Sequence, residues 1–109
     1  EDDMVIAKEE IFGPVMSIFK FKTDEEAVKR ANTTKYGLAA SVISENGARA
    51  ISTAHQIRAG TVWINTHNSY DAGLPFGGYK ESGHGRELGF EAMENYLETK
   101  TVMLPLTGP

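Results

Sequence analysis

Short apolar runs alternate with polar stretches in the first part of the chain. Residues 4–7 and 15–21 are apolar enough to predict two strands. Residues 38–43 and 61–64 predict two further strands, each buried and bounded by polar or turn-forming residues.

The segments between these runs predict two helices. Thr23 is a suitable N-cap, and Glu26 three residues later completes a capping-box pattern. This helix should end near Asn32. The second helix should be capped by Asn46 or by Ser44, since both side chains accept hydrogen bonds from free N–H groups.

The order of the predicted elements indicates the fold class. Gly60 suits the position just past the end of the second helix, before the next strand begins. Strand, helix, strand, helix, strand is typical of an α/β protein. We therefore expect a mostly parallel sheet with covering helices.

The regular pattern is interrupted in the second half of the chain. Residues 65–86 are rich in glycine and small polar residues and predict a long loop, a feature that tends to be functional in compact domains. Residues 87–96 then predict a helix. Residues 98–104 alternate like a strand that ends at Pro105.

Composition narrows the classes of function. The chain has 109 residues, 40% of them hydrophobic and 24% charged, which is typical of one small globular domain. A net charge of −4 without a basic cluster argues against nucleic-acid binding. No apolar run approaches the roughly 20 residues that cross a bilayer, so no membrane partner is expected. The chain begins without methionine or a signal-peptide pattern, and we expect a fragment of a larger polypeptide.

Several kinds of reactive site are disfavoured. The absence of cysteine excludes disulfides and thiolate metal sites and favours a cytoplasmic location. The three histidines, His55, His67 and His84, lack metal-ligand spacing, so no metal is predicted. The glycine-rich run 83–89 does not match the dinucleotide fingerprint. Ser82 is not expected to be a nucleophile, because Lys80 occupies the position two residues earlier where a nucleophile elbow requires glycine.

Two stretches, residues 9–15 and residues 74–83, carry the most specific pattern. In the first, Gly13-Pro14 imposes a bend that holds two carboxylates and the ring of Phe12 between two apolar runs. Taken alone, this stretch also fits a polar turn with Phe12 packed in the core. That interpretation is preferred for the first stretch alone, and the second stretch, taken together with the first, reverses the preference.

Together with four other segments, these stretches resemble the aldehyde dehydrogenase superfamily. Specifically, they are similar to the C-terminal part of an NAD(P)-dependent aldehyde dehydrogenase, from about Met4 to Leu106. The segments that carry the resemblance are, in chain order, Glu9-Glu10-Ile11-Phe12-Gly13-Pro14, Tyr36-Gly37-Leu38-Ala39-Ala40, Gly60-Thr61-Val62-Trp63-Ile64-Asn65, Pro75-Phe76-Gly77-Gly78-Tyr79-Lys80-Glu81-Ser82-Gly83, Gly85-Arg86-Glu87 and Thr99-Lys100-Thr101-Val102.

The resemblance implies roles for five residues. Glu10 would bind the hydroxyls of the nicotinamide ribose, Phe12 would pack near the nicotinamide ring, and Leu38 would help to fix the cofactor, NAD or NADP. Phe76 and Tyr70 would be walls of the aldehyde tunnel, which suits a mainly apolar pocket.

The resemblance also implies a division of the chain and of the chemistry. Residues 1–97 would be the C-terminal part of a catalytic domain, and residues 98–109 an oligomerisation strand and tail. The parent enzyme would oxidise an aldehyde to a carboxylic acid and would assemble as a homo-oligomer, a dimer or tetramer. Because the family uses a cysteine nucleophile, no catalytic residue is expected in this chain. The nucleophile, the general base and the Rossmann domain would belong to the missing N-terminal portion, and the chain alone should be inactive. The alternative is a non-enzymatic binding or oligomerisation module, or a gene remnant.

Overall fold

The architecture consists of short helices and two small sheets. The computed structural model describes residues 2–108. The elements in chain order are α1 (Val5–Lys8), α2 (Asp24–Ala31), β1 (Tyr36–Gly37), β2 (Ala39–Val42), α3 (Gly47–Gln56), β3 (Thr61–Ile64), β4 (Tyr79–Lys80) and a 3₁₀ helix (Phe90–Tyr96).

A β2–α3–β3 unit forms the centre of the fold. Strands β2 and β3 are parallel and in continuous register, and α3 is the crossover connection between them. Within the described part of the chain, the buried apolar side chains are Ala50 on α3, Ala59 just before β3, and Trp63 on β3. Trp63 is only 8% exposed, as expected of a core residue on a buried strand.

The second sheet pairs β1 with β4 in antiparallel orientation. The α/β character expected from the sequence is present. A mostly parallel sheet is not established, because only one of the two strand pairs in residues 2–108 is parallel. Strand β4 lies within the long loop of residues 65–86, and its pairing with β1 holds this part of the loop next to the start of β2.

The N-terminal strand predictions are wrong for this chain. Residues 4–7 do not form a strand, and a short helix, α1, occupies Val5–Lys8. Residues 15–21 form neither strand nor helix, and the side chains of Val15, Met16 and Ile18 are exposed. A strand requires a hydrogen-bonded neighbour, and an apolar run by itself does not supply one.

The two C-terminal predictions also need correction. The helix predicted for residues 87–96 is a 3₁₀ helix restricted to Phe90–Tyr96. Leu88 and Gly89 have φ angles of 59° and 61°, which are left-handed and prevent a right-handed helix from starting earlier. Residues 98–104 form no strand within the described chain, and Val102 is 80% exposed.

The predicted cap of α2 is confirmed. The Thr23 hydroxyl accepts a hydrogen bond from the Glu26 N–H at 3.2 Å. The reciprocal bond is shifted by one residue, because the Glu26 carboxylate accepts from the N–H of Lys22 at 2.8 Å rather than from that of Thr23. Asn32 follows the helix directly, as predicted.

The choice between two caps for α3 is also resolved. The Asn46 side chain accepts from the Arg49 N–H at 3.0 Å and is the N-cap. The Ser44 hydroxyl supports it by accepting from the Asn46 N–H at 3.2 Å. The helix ends at Gln56, so Gly60 is not its C-terminal cap.

Gly60 is instead required by a close backbone contact. A Cβ atom placed on Gly60 would lie 1.6 Å from the carbonyl oxygen of Gly77. Only glycine allows the two backbones to approach this closely. The absence of a side chain at Gly60 therefore allows the long loop to pack at Gly77 against the residue that precedes β3.

The molecule is elongated. Its radius of gyration is 19.6 Å and its extents are 71 × 32 × 26 Å, whereas a compact domain of this length has a radius of gyration of about 13 Å. Many large apolar side chains of the N- and C-terminal segments are exposed. Among residues 2–108, no helix has the length and apolar character to cross a membrane.

Candidate functional site

A cavity of about 320 Å³ brings together two of the predicted cofactor-binding residues. Glu10, just after α1, and Leu38, between β1 and β2, both line it. Leu38 is held by its carbonyl oxygen, which accepts from the Thr61 N–H at 3.2 Å. The N–H of Gly37 next to it donates to the Ser82 hydroxyl at 2.9 Å. The cavity wall is thus fixed by contacts with β3 and the long loop.

The environment of Glu10 leaves its carboxylate available. The residue is exposed, and within residues 2–108 its side chain has no hydrogen-bond or ion-pair partner. A carboxylate of this kind can accept hydrogen bonds from hydroxyl groups of a bound ligand.

Phe12, the third predicted cofactor-binding residue, is placed differently. Its side chain is 97% exposed on the bend, and it does not line the cavity of Glu10 and Leu38. The alternative of a core residue is therefore wrong. An aromatic ring exposed to this degree costs free energy unless another surface covers it.

The two predicted substrate-wall residues lie in contact, within a row of aromatic rings. Tyr70 and Phe76 meet edge to face with ring centroids 5.1 Å apart. Tyr70 also meets Trp63 at 5.5 Å, and Trp63 meets His67 at 5.1 Å. We call these four residues the aromatic row. Edge-to-face contacts of this kind stabilise ring pairs beyond the burial of their area.

Hydrogen bonds hold three of the four residues of the aromatic row in place. Phe76 and Glu87 exchange two N–H···O bonds of 2.7 Å, which form an isolated antiparallel bridge. In the middle of the row, the Trp63 indole N–H donates to the Ser69 carbonyl at 2.7 Å, and the Tyr70 hydroxyl donates to the Asn68 side chain at 2.7 Å.

Two cationic side chains stabilise the loop that contains Phe76 by donating hydrogen bonds to backbone carbonyls. The Lys80 ammonium donates to the carbonyls of Asn32 and Thr34 at 3.0 and 2.9 Å. Arg86 donates to the Gly78 carbonyl at 3.1 Å and lies over the ring of Tyr79. The sequence did not indicate the role of Lys80, because its partners lie 46 and 48 residues away.

The charged pairs with shifted pKa values lie on the protein surface. Arg49 donates to the Asp24 carboxylate, at 2.6 Å from its Nε, and this hydrogen bond lowers the pKa of Asp24. Glu81, 3.5 Å from the Lys35 ammonium, raises the pKa of Lys35. Within residues 2–108, no three His, Cys, Asp or Glu side chains converge as metal ligands would.

Comparison with known proteins indicates the family of the chain. The model of the aldehyde dehydrogenase family matches residues 1–102. An aldehyde dehydrogenase of Davidiella tassiana is 57% identical over 105 residues, which are 96% of this chain and 21% of that protein. A mitochondrial aldehyde dehydrogenase of Arabidopsis thaliana, family 2 member B4, is 52% identical over 109 residues, 100% of this chain and 20% of that protein.

Solved structures agree with this result. An aldehyde dehydrogenase from Bacillus cereus in complex with NAD+ superposes with a TM-score of 0.92 at 50% identity, over 98% of this chain and 22% of that one. An indole-3-acetaldehyde dehydrogenase of P. syringae, in complex with NAD+ and IAA, superposes with a TM-score of 0.88 at 49% identity, over 92% and 20% of the two chains. The chain thus spans about a fifth of the length of the relatives that it matches.

Proposed function

The chain belongs to the aldehyde dehydrogenase family, and we propose that it is the C-terminal part of an enzyme that oxidises an aldehyde to a carboxylic acid with NAD(P)+. The observation that carries the proposal is the family match over residues 1–102. The chain corresponds to about a fifth of the length of its relatives. The structures of the B. cereus and P. syringae relatives contain NAD+, which supports this cofactor for the parent enzyme.

The chain's own part in the reaction begins with the cofactor. The Glu10 carboxylate would accept hydrogen bonds from the ribose hydroxyls beside the nicotinamide, and Leu38 would pack against the same part of the cofactor. Their common cavity of about 320 Å³ supports this assignment. The exposed ring of Phe12 would be covered by the nicotinamide and by neighbouring parts of the enzyme. NAD(P)+ supplies the hydride acceptor when it is bound.

The second contribution is to the aldehyde pocket. Tyr70 and Phe76 would form an aromatic wall that orients the substrate and excludes water from it. The contact between the two rings and the backbone bridge at Phe76 support a rigid wall. Correct positioning of this kind is worth large rate factors, because hydride transfer depends on distance and alignment.

The remaining chemistry would lie outside this chain. The chain contains no cysteine, so the thiolate nucleophile of the family must come from another part of the parent. Residues 1–97 would contribute to the catalytic domain, and residues 98–109 would contribute to assembly of a dimer or tetramer. A cytoplasmic location remains a prediction.

Expression of the longer reading frame tests the proposal. We expect the polypeptide that continues upstream to contain a cysteine and a glycine-rich cofactor motif and to reduce NAD+ or NADP+ in the presence of an aldehyde. The 109-residue chain, purified in parallel, should show no activity above background. A start codon at this boundary, together with a stable and inactive protein, would support the alternative of a non-enzymatic binding or oligomerisation module.

A further inference from the structure

A hydrogen bond connects the central sheet to the aromatic row. The Ser41 hydroxyl on β2 lies 2.6 Å from Nδ1 of His67, which is 26 residues further along the chain. Ser41 is the register partner of Trp63 on the adjacent strand. The sheet therefore places the Ser41 hydroxyl beside Trp63, the member of the aromatic row that lies on β3.

The start of the long loop is shaped to bring His67 back to the sheet. Asn65 and Asn68 have φ angles of 54° and 59°, in the left-handed region that asparagine tolerates better than most residues. The Asn65 side chain accepts from the Ser44 N–H at 2.8 Å and donates to the Ser44 carbonyl at 3.0 Å. The loop is thus anchored next to the end of β2.

His67 is consequently held by two different contacts. Its Nδ1 is bonded to Ser41, and its ring meets the Trp63 ring edge-on with an interplanar angle of 71°. Trp63 in turn meets Tyr70, and Tyr70 meets Phe76. A rotation of the imidazole would change the packing of Trp63, and each further ring would have to adjust.

We propose that Ser41 and His67 are positioning residues that set the aldehyde preference of the enzyme, acting through Trp63 on the wall formed by Tyr70 and Phe76. The inference rests on the proposed function, because it takes these last two residues as the aldehyde wall. The pair does not touch the substrate; it fixes the angle of the aromatic row. Aldehydes with a flat aromatic side chain are most sensitive to this angle, because they contact the wall over the largest area.

Substitutions in the complete enzyme that carries this segment test the proposal. Ser41→Ala removes the hydroxyl, and His67→Phe keeps a ring but removes the bonded nitrogen. We expect each to change the ratio of kcat/KM for benzaldehyde and acetaldehyde by about three- to tenfold, the effect of losing one hydrogen bond. The KM for NAD+ should not change. The double variant should be no worse than either single variant, because both remove the same bond.

Three controls separate positioning from a merely structural role. Ser41→Thr retains a hydroxyl and should restore the wild-type ratio. Ser52→Ala changes an exposed serine on α3 and should leave the ratio unchanged. Thermal unfolding of every variant measures stability separately, and His67→Phe, which removes the same bond from the other side, provides the readout if Ser41→Ala does not fold.

The outcomes are distinct. An unchanged ratio in stable Ser41→Ala and His67→Phe enzymes would overturn the inference, and so would an equal loss of kcat/KM for both aldehydes. If the wild-type enzyme oxidises no aldehyde, the proposed function itself fails.

Discussion

Glu10 and Phe76 represent the two kinds of residue on which function would depend. Glu10 offers an exposed carboxylate at the edge of a cavity. Phe76 is held by ring contacts and by a backbone bridge. Their substitutions should therefore affect different kinetic constants: a hydrogen-bonding group acts on the cofactor, whereas an apolar wall acts on the choice of aldehyde.

Glu10→Gln should impair turnover of the complete enzyme by weakening the hold on the nicotinamide ribose. Loss of one charge-assisted hydrogen bond corresponds to roughly 1.5–3 kcal/mol, or about ten- to a hundredfold in kcat/KM. Steady-state kinetics and NAD+ binding measure the effect. Glu9→Gln changes the adjacent exposed carboxylate, which does not line the cavity, and should have little effect. Unchanged kinetics in Glu10→Gln would show that the assigned role is wrong.

Phe76→Ala should alter aldehyde preference more than cofactor affinity. The change removes the ring that Tyr70 contacts. The ratio of kcat/KM between bulky and small aldehydes should therefore change. The ratio of kcat/KM for aldehydes of different size measures this. Phe90→Ala removes an exposed ring of the same kind and serves as a control. A uniform loss across aldehydes that is caused by weaker NAD+ binding would contradict the assignment.

The packing of elements depends on a few close contacts between β3, α2, α3 and the long loop. Gly60 determines how near the loop comes to β3, and the Asp24–Arg49 pair joins α2 to α3. The contact at Gly60 depends on the absence of a side chain, whereas the contact between Asp24 and Arg49 depends on their opposite charges. They should respond to different perturbations.

Gly60→Ala should destabilise the enzyme by at least about 2 kcal/mol, because a methyl group would overlap the Gly77 carbonyl oxygen and force the two backbones apart. Denaturant unfolding measures the change. The control is Gly47→Ala at the start of α3, where nothing lies within 4 Å of an added Cβ. That substitution should be neutral, or stabilising by about 0.5–1 kcal/mol. Equal stability of the two variants would refute the role of Gly60.

Acid should weaken the contact between α2 and α3. Arg49 lowers the pKa of Asp24, so the folded state favours the charged carboxylate. The resulting stability is present above the normal aspartate pKa of 3.8 and is lost as the pH falls through the lowered value. The difference in unfolding midpoint between wild type and Asp24→Asn should therefore shrink below about pH 4.

The matched control for this pair is Glu25→Gln, which removes a like charge from the same first turn of α2. Glu25 forms no ion pair within residues 2–108, so Glu25→Gln should change the unfolding midpoint at neutral pH less than Asp24→Asn does. The Asp24 effect should also be small and sensitive to salt, because the pair is exposed. A difference that persists unchanged at low pH would contradict the argument.

Residues 2–108 bury few apolar side chains for a chain of this length. The buried apolar side chains within residues 2–108 are two alanines and one tryptophan, while exposed apolar residues are concentrated in the two terminal segments. The radius of gyration of 19.6 Å is consistent with this distribution. Surfaces of this composition favour association, either with the remainder of a parent enzyme or with further copies of the chain.

Val102→Pro tests association through residues 98–104. In the isolated chain, these exposed backbone groups should pair with a second copy by strand addition, and proline removes one amide donor. Sedimentation should show a larger species for the unmodified chain than for the variant. Thr107→Pro, outside this segment, is the control. Two compact monomers of equal stability would refute an assembly role for this segment of the chain.

Local sequence determined the features that depend on neighbouring residues. The caps at Thr23 and Asn46 bond to N–H groups three residues away, so their geometry follows from the local pattern. The strand Thr61–Ile64 was predicted with its correct bounds, since the apolar run lies between Gly60 and the polar Asn65. The six segments of the resemblance indicated the family directly, and the family match confirms it.

Only the tertiary structure decided which distant groups meet. Residues 15–21 have the composition of a strand, but no neighbouring strand is present in residues 2–108 to accept their hydrogen bonds. Gly60 is needed because of Gly77, and His67 is fixed by Ser41. Such contacts join residues 17 and 26 positions apart. Periodicity reports only which face of an element is apolar, whereas close approach and hydrogen bonding depend on the path of the chain between the two partners.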